Sequence, residues 1–436
     1  MLLIYVPKIT NRVKYIFSFI FKNILGIEFR ITRDPEEFKK HTDTKLNYSS
    51  QPFADELFFM SRTILFETGI INQNITVSEY KGSKIFFSTG KTSSLPFDPF
   101  AASFYLVSRY EEYLPQIRDK YDRFDAKESF AYQNDFLEKP VVNIWAKWIK
   151  EIIEEKYPGA VFPQKKYQYV STIDIDNAYA YREKGLMRTI GGYFKSIIDL
   201  DFEQISERTR VLLGLEKDPY DTYDLQLEIQ KKYNFKPIYF FLLGDYGIND
   251  KNLPIESKKF QSLIKTIGDY AEIAIHPSFG SNQNPQKLEK EISRLSGVLN
   301  REITKSRQHF LKLIFPETYR NLINLDITDD YTMGFAQHIG FRAGTCTPFT
   351  FYDLDAEAET KLKIHPFAVM DATLKYYMKI APQDAMKYIE PLIKEVKAVN
   401  GTFVSLWHNE SLSNHREWHQ WQSVYEETVK MATEQQ

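Results

Sequence analysis

The sequence predicts an α/β protein, a small mixed α/β unit followed by a (β/α) barrel, and three observations lead there. The chain has 436 residues, a length that suggests two or three units rather than one. Its second part alternates apolar strand-like runs with helix-length segments, the pattern of parallel strands covered by helices. Several of these runs end in Asp or His, the position from which barrel enzymes draw their chemistry.

Composition supports an ordered globular chain. Hydrophobic residues make up 43%, charged residues 26% and aromatic residues 15%, with 28 Tyr and 33 Phe, which excludes a low-complexity or largely disordered protein. Lys and Arg number 56 against 58 Asp and Glu, a formal net charge of -2, so there is no electrostatic surplus for a phosphate polymer and nucleic acid is not an expected partner. Cys346 is the single cysteine. An internal disulfide and a thiolate zinc cage are therefore both ruled out, and a metal would need His and carboxylate ligands.

Along the chain, residues 15–27 follow Lys8, Arg12 and Lys14 and imitate the opening of a signal peptide. Lys22 interrupts the apolar stretch and no small-residue cleavage site follows. The run is shorter than the roughly 20 residues that span a bilayer, so a folded amphipathic helix, no transmembrane segment and a cytoplasmic protein are expected. A strand-like run begins at Lys84, and helical patterns cover Pro99–Tyr110 and Val141–Lys156. Periodicity stops at Tyr157-Pro-Gly and Pro163, which places a linker at 157–166 between an N-terminal mixed α/β domain (1–156) and the barrel (167–436). The barrel strands are expected at Tyr167–Ile173, Pro237–Leu243, Glu272–Ile275, Gly340–Thr345 and Thr402–Trp407. A doubly wound open sheet is the alternative architecture.

Four strand ends carry the candidate chemistry. In Thr172-Ile-Asp174-Ile-Asp176 the two carboxylates are two residues apart on one face, about 6–7 Å at the usual rise of strands. Both stay ionised in a low-dielectric mouth only if a cation neutralises them; otherwise one binds a proton. One as metal ligand and one as general base is the natural division, against a solvated loop as the plain alternative. His276, followed by Pro277 and Ser278, ends another run and offers an imidazole to a metal or to a structural hydrogen bond. Arg307 and His309 share a face, so Arg307 can grip a carboxylate while His309 completes a ligand set, or both are merely packed. His408 ends the last run and suits a general acid, whereas His415 and His419 fall in a polar tract outside the chemistry. Together these ends describe one metal-dependent hydrolytic site.

In this order the motifs resemble those of the polysaccharide deacetylases, carbohydrate esterase family 4, over about residues 165–436, and especially a divergent branch with an additional N-terminal domain. The stretch Phe97-Asp-Pro-Phe through Tyr113 is similar to that attached domain, whose role stays unknown. The resemblance implies an irregular (β/α) barrel and an activity that deacetylates an N-acetylated sugar in a cell-surface glycan or its precursor. It implies Asp174 as the catalytic base and Asp176 as a metal ligand, although Ile175 makes the motif one residue longer than the family's. The family's His-Ser-x-x-His is half kept, with His276 present and Gly280 where the second histidine would stand. His309 is then the candidate replacement, giving Asp176, His276 and His309 around one divalent cation, zinc first. Arg307 would orient Asp174, and Trp407-His408 resembles the family's closing Leu-x-x-His, with His408 as the acid and Asp371 its orienting partner.

Two other classes compete. The missing histidine motivates a non-catalytic glycan-binding or scaffold protein on a degenerate barrel. A glycoside hydrolase using Asp174 and Asp176 is the third, but the Asp-x-Asp-x-Glu pattern would need Glu at Ala178. Asp329, Asp330 and Arg342 either line the substrate mouth or form an internal salt bridge, and Cys346 reads as a small buried thiol. Oligomeric state is left open.

Overall fold

The computed structural model describes residues 1–434. Short apolar runs near the start form four strands, β1 (Leu2–Tyr5), β2 (Phe29–Thr32), β3 (Lys45–Ser49) and β4 (Leu57–Met60), paired β2-β1-β3-β4 and all parallel. A separate antiparallel hairpin joins β5 (Val77–Tyr80) to β6 (Ser83–Phe86). Its two turn residues, Lys81 and Gly82, have φ of 47° and 74°, the sign a two-residue hairpin turn demands.

The larger sheet has nine strands. These are β7 (Gln168–Ile175), β8 (Ile238–Leu242), β9 (Glu272–His276), β10 (Lys305–Ser306), β11 (Asp329–Asp330), β12 (Phe349–Asp353), β13 (Ala358–Ile364), β14 (Val369–Met370) and β15 (Thr402–His408). They run in the order β12-β13-β11-β10-β9-β8-β7-β15-β14. Every pairing is parallel except β12 with β13. All five residues of β8 are buried, as expected where helices cover both faces of a parallel sheet. The α/β alternation expected from the sequence is thus present. Among the described residues no ladder joins β12 to β14, so hydrogen bonding by itself does not close the sheet into a barrel.

One expected strand is absent. Gly340–Thr345 is a buried loop, with Gly340 at φ 119° and Gly344 at φ 64°. A Cβ on Gly340 would lie 2.5 Å from the Leu137 carbonyl oxygen, so the loop passes too close to its neighbour for a side chain. The side chain of Arg342 is paired internally with Glu112, its Nε donating at 2.9 Å. Most of the segment 15–27 is helical, as expected. It continues Asn11–Phe17 into a π-helical turn at Ser18–Ile24, and Tyr15, Ile16, Phe17, Phe19, Ile20 and Phe21 are all buried. Asn11, Lys14, Ser18 and Lys22 recur at helical spacing on the outer side, so the helix is amphipathic and sinks a wide apolar face into the core.

Residues 157–166 carry neither helix nor strand, yet one apolar cluster runs from Leu2 to Ala432 on both sides of them. Arg12 pairs with Glu357, and Tyr15 donates its hydroxyl to the Thr350 carbonyl at 2.7 Å, fastening the N-terminal helix to the β12–β13 hairpin. Among the described residues no helix is long and apolar enough to cross a membrane.

Candidate active site

Parallel pairing puts the carboxyl ends of neighbouring strands along one edge, and all seven expected site residues lie there. Asp174 is the penultimate residue of β7 and Asp176 follows the strand; His276 closes β9; Arg307 and His309 follow β10; Asp371 follows β14; His408 closes β15. Register aligns His408 with Asp174 across β15 and β7. The apolar core of each strand fixes where its polar tip emerges.

Asp176 sits between two imidazoles. Its Oδ1 is 3.3 Å from His276 Nε2 and its Oδ2 is 3.2 Å from His309 Nε2. The other nitrogen of each ring is already committed. His276 Nδ1 is 2.6 Å from the Arg307 carbonyl oxygen, which can only accept, and His309 Nδ1 is 2.8 Å from Asp250 Oδ1. Each Nδ1 must therefore carry the proton, and a neutral ring then aims the Nε2 lone pair at the Asp176 carboxylate. Three acceptors consequently face one another, with ligand atoms all within 4.8 Å. Asp176 Oδ1 is buried without a hydrogen-bond partner. Without a cation, extra protons must fill the gap. Burial opposes charge on His309, but Asp176 and Asp250 outweigh it and push its pKa up to about 9. Asp176 is half-buried, which opposes its charge, yet His309 and His276 hold its carboxyl well below the usual carboxylate range. A set of one carboxylate and two Nδ1-protonated imidazoles fits a divalent cation, with the Arg307 carbonyl and Asp250 as the groups that orient the rings.

Asp174 is almost fully buried. Arg307 Nη1 donates to its Oδ1 at 2.9 Å, leaving Oδ2 3.7 Å from His276 Nε2. Arg307 itself is locked in place: Nε donates to the Tyr331 carbonyl at 3.0 Å, and the guanidinium lies 4.4 Å from the Phe240 ring centroid. Across the cavity, Asp371 accepts from the His408 backbone N–H at 2.8 Å, and its Oδ1 is 2.8 Å from His408 Nδ1. Burial would lower the pKa of His408, but the fully buried Asp371 carboxylate raises it well above the usual imidazole value. His408 thus offers an Nε2–H donor, in contrast to the lone pairs at His276 and His309.

Asp174, Asp176, His276, His309 and His408 line a cavity of about 200 Å³, with Arg307 and Asp371 behind them. Glu410, Met370, Tyr376, Tyr377 and Trp418 form much of its far wall. Burial pushes the Glu410 carboxyl up to about 7, with His408 opposing. Phe310 and Leu311, directly after His309, have φ of 59° and 55°, a left-handed conformation that bulky residues adopt at a cost of about 1–3 kcal/mol. Arg123 braces that turn. Its Nη1 donates to the Phe310 carbonyl at 2.8 Å, its Nη2 to the Tyr377 hydroxyl at 3.0 Å, and Asp119 holds its other face. Tyr121 packs on the Phe310 ring at 4.8 Å. The Asp119–Arg123 loop therefore builds one wall of the cavity.

That loop lies inside residues 2–158, which match a family of unknown function (DUF7033). No curated protein matches the chain. Among solved structures the chain is similar to a candidate polysaccharide deacetylase from Mycobacterium smegmatis, at 14% identity and a TM-score of 0.40, covering 63% of this chain and 86% of that one. It is also similar to the polysaccharide deacetylase Bc1974 from Bacillus cereus, at 12% identity and a TM-score of 0.29, covering 61% and 88%. A third, BA3943 from Bacillus anthracis, is described as a CE4 family pseudoenzyme; identity is 12%, the TM-score 0.26, and coverage 60% of this chain and 61% of that one. With TM-scores below 0.5, neither reaction nor substrate is transferred from these proteins.

Asp250, Glu410 and Arg123 were not among the residues read from the sequence as functional. Asp250 sits in an irregular loop after β8, and Arg123 lies in a charged turn far from the other site residues. Asp329, Asp330 and Arg342 are absent from the cavity lining. Asp329 instead meets His365 Nε2 at 2.7 Å, Asp330 accepts from Ser306 at 2.9 Å, and Arg342 takes the internal salt bridge with Glu112. Cys346 is buried and also lies outside the lining.

Proposed function

We propose that this cavity is the active site of a hydrolase using one divalent cation, which removes the acetyl group from an N-acetylated sugar of a glycan or glycan precursor. The carrying observation is the convergence of Asp176, His276 and His309, whose ligand atoms lie within 4.8 Å of one another, close enough to share a cation. Zinc is the first choice for one carboxylate and two imidazoles, and when bound such an ion supplies a Lewis acid for the acyl carbonyl. The chain does the rest. Asp174, oriented by Arg307, takes a proton from the attacking water. His408, kept protonated by Asp371, gives a proton to the departing nitrogen. Glu410, whose carboxylate makes no hydrogen bond to the protein among the described residues, faces the cavity as an acceptor for sugar hydroxyls. Tyr376, Tyr377 and Trp418 offer apolar faces to a pyranose ring.

A glycan-binding scaffold is the second reading, raised by Gly280 standing where a second histidine is usual. Against it stands the gathering of Asp174, Asp176, His276 and His309 in one small volume with Asp176 Oδ1 left without a hydrogen-bond partner, a cost of roughly 1–3 kcal/mol that a scaffold has no reason to retain. A glycoside hydrolase is less well supported, because Asp174 is held by Arg307 and Asp176 by two imidazoles, leaving neither free to approach an anomeric carbon.

The test is acetate release from N-acetylglucosamine oligomers by zinc-loaded protein, with bound zinc measured in parallel. Stoichiometric zinc and acetate release, both lost in Asp176→Ala, are expected. Zinc bound without acetate release would favour the scaffold, and failure to bind any divalent ion would remove the catalytic reading.

A further inference from the structure

The most unusual surface of the molecule is a helical hairpin, Leu186–Ile198 followed by Phe202–Leu212. Of the twenty large hydrophobic side chains that stand exposed among the described residues, eleven lie between Leu186 and Leu215. The first helix is turned inside out. Met187, Ile190, Phe194 and Ile198 recur at helical spacing on it and are 82%, 42%, 63% and 78% exposed. Phe202, at the start of the second helix, and Leu213, just past its end, are 67% and 69% exposed, although Val211 on that helix is buried. The side of the first helix that faces the second is small or polar. A Cβ on Gly192 would meet Arg208 Nη1 at 1.7 Å, and Ser196 is buried with its hydroxyl donating to the Gly192 carbonyl at 2.9 Å. On the second helix the inward residue Glu207 accepts from the Tyr181 hydroxyl at 2.7 Å and pairs with His415 at 2.6 Å. An amphipathic helix ordinarily buries its apolar stripe, and a contiguous exposed apolar patch beyond roughly a few hundred Å² marks an interface.

We propose that this hairpin is a homodimer interface, occupied by the hairpin of a second copy of this chain. The charge pattern selects that occupant. The exposed charge on the first helix is Lys195, whereas the turn and the start of the second helix expose Asp199 and Glu203; Arg188, Asp201 and Glu207 are already bonded within the chain. A two-fold axis that lays two hairpins antiparallel sets Lys195 of each against the acidic turn of the other, and two such hairpins form a four-helix bundle. An anionic bilayer fits less well, because Asp199 and Glu203 are exposed beside Leu200 and Phe202, where lipid phosphates would meet them. The interface also backs onto the cavity. Asp201 accepts from Arg416 at 2.7 Å and Glu207 holds His415, both in the segment between Glu410 and Trp418 that walls the site. Pairing of the hairpins does not depend on whether the cavity is a deacetylase.

Sedimentation velocity of the full chain over a wide concentration range tests it. A dimer is expected, weakened about tenfold or more by Phe194→Glu or Ile198→Glu, with unchanged circular dichroism and melting. Lys195→Glu should weaken it as well, and adding Asp199→Lys and Glu203→Lys in the same chain should restore it, an outcome that misfolding would not produce. A wild-type protein that stays monomeric at about 100 μM overturns the proposal. So does a dimer indifferent to Phe194→Glu, and so does a monomer that floats with phosphatidylglycerol vesicles, which would assign the stripe to a bilayer.

Discussion

Two clusters of histidine and carboxylate flank Asp174, built from the same residue types with opposite placement of protons. On one side His276 and His309 spend their Nδ1 protons on outlying acceptors, the Arg307 carbonyl and Asp250, and turn bare Nε2 atoms toward Asp176. On the other, His408 spends its Nδ1 proton on Asp371, and the buried carboxylate keeps a second proton on Nε2. The first cluster must give up the extra proton on His309 to admit a cation, whereas the second keeps its proton on His408. Which residue lies behind each imidazole, a backbone carbonyl and a shared carboxylate or a dedicated buried one, decides whether the ring is a ligand or an acid.

The strongest way to break the contrast is Asp176→Ala. It removes the atom on which both bare nitrogens converge, so divalent-ion binding should vanish and activity fall roughly 10³-fold or more. Calorimetry and metal analysis of the folded variant check it; metal retained at wild-type affinity would mean that the cluster is an internal polar network. Next is His408→Ala, expected to lower kcat by about 10²–10³-fold while metal content stays full. Asp371→Asn sharpens the same point through pH. In the wild type the raised pKa of His408 keeps the acid protonated through neutrality, so activity falls only on a far alkaline limb. Without the Asp371 carboxylate its largest upward influence is gone and burial is opposed only by the more distant Asp176 and Asp174, which should move that limb down toward pH 7. The pair also contributes to stability below the unfolded pKa of about 6.5, a contribution lost as pH rises through the folded value. An unmoved alkaline limb in Asp371→Asn would show that His408 is not the group seen in the profile.

A smaller effect is expected one shell out. Asp250→Asn keeps the shape behind His309 but removes the charge that fixes its tautomer and helps raise its pKa to about 9. Metal affinity should drop by about 10–100-fold. Binding must expel a proton from His309 in the wild type at pH 7, so calorimetry in buffers of different ionisation enthalpy should report proton uptake by buffer, reduced in the variant.

Much of this site was legible because apolar strands announce where they end. The runs leading to Asp174, His276 and His408 are long enough to read, and a polar tip directly after an apolar run marks the point where the strand leaves the core. The strands β10, β11 and β14 have two residues each, too few for any period, so Arg307 and His309 stood out only by residue type and shared face, and Asp371 only through the family resemblance. Gly340–Thr345 misled in the other direction, since a short apolar run between glycines is equally a loop when both glycines take positive φ. Glu410 reads as the polar tail of a strand, and only its direction into the cavity distinguishes it. For Asp119 and Arg123 no local pattern could serve. Asp119-Lys-Tyr-Asp-Arg123 has the composition of a solvated turn, and its partner Phe310 is 187 residues away.

The mildest prediction concerns that turn. Arg123 touches neither Asp176 nor His408, but it grips the Phe310 carbonyl and the Tyr377 hydroxyl from the opposite side of the chain, next to two residues held in a left-handed conformation. Releasing it should let Phe310 and Leu311 relax toward ordinary backbone angles, and His309, one residue before, would shift with them. Arg123→Gln should therefore raise KM by about tenfold and loosen the metal slightly, whereas Arg123→Lys, which keeps charge without the fork, should recover only part of the loss. Because Arg123 pairs with Asp119, melting must be followed alongside. A variant that melts earlier but keeps wild-type KM and metal affinity would confine the loop to stability, and the two histidine clusters would then owe nothing to the first 158 residues.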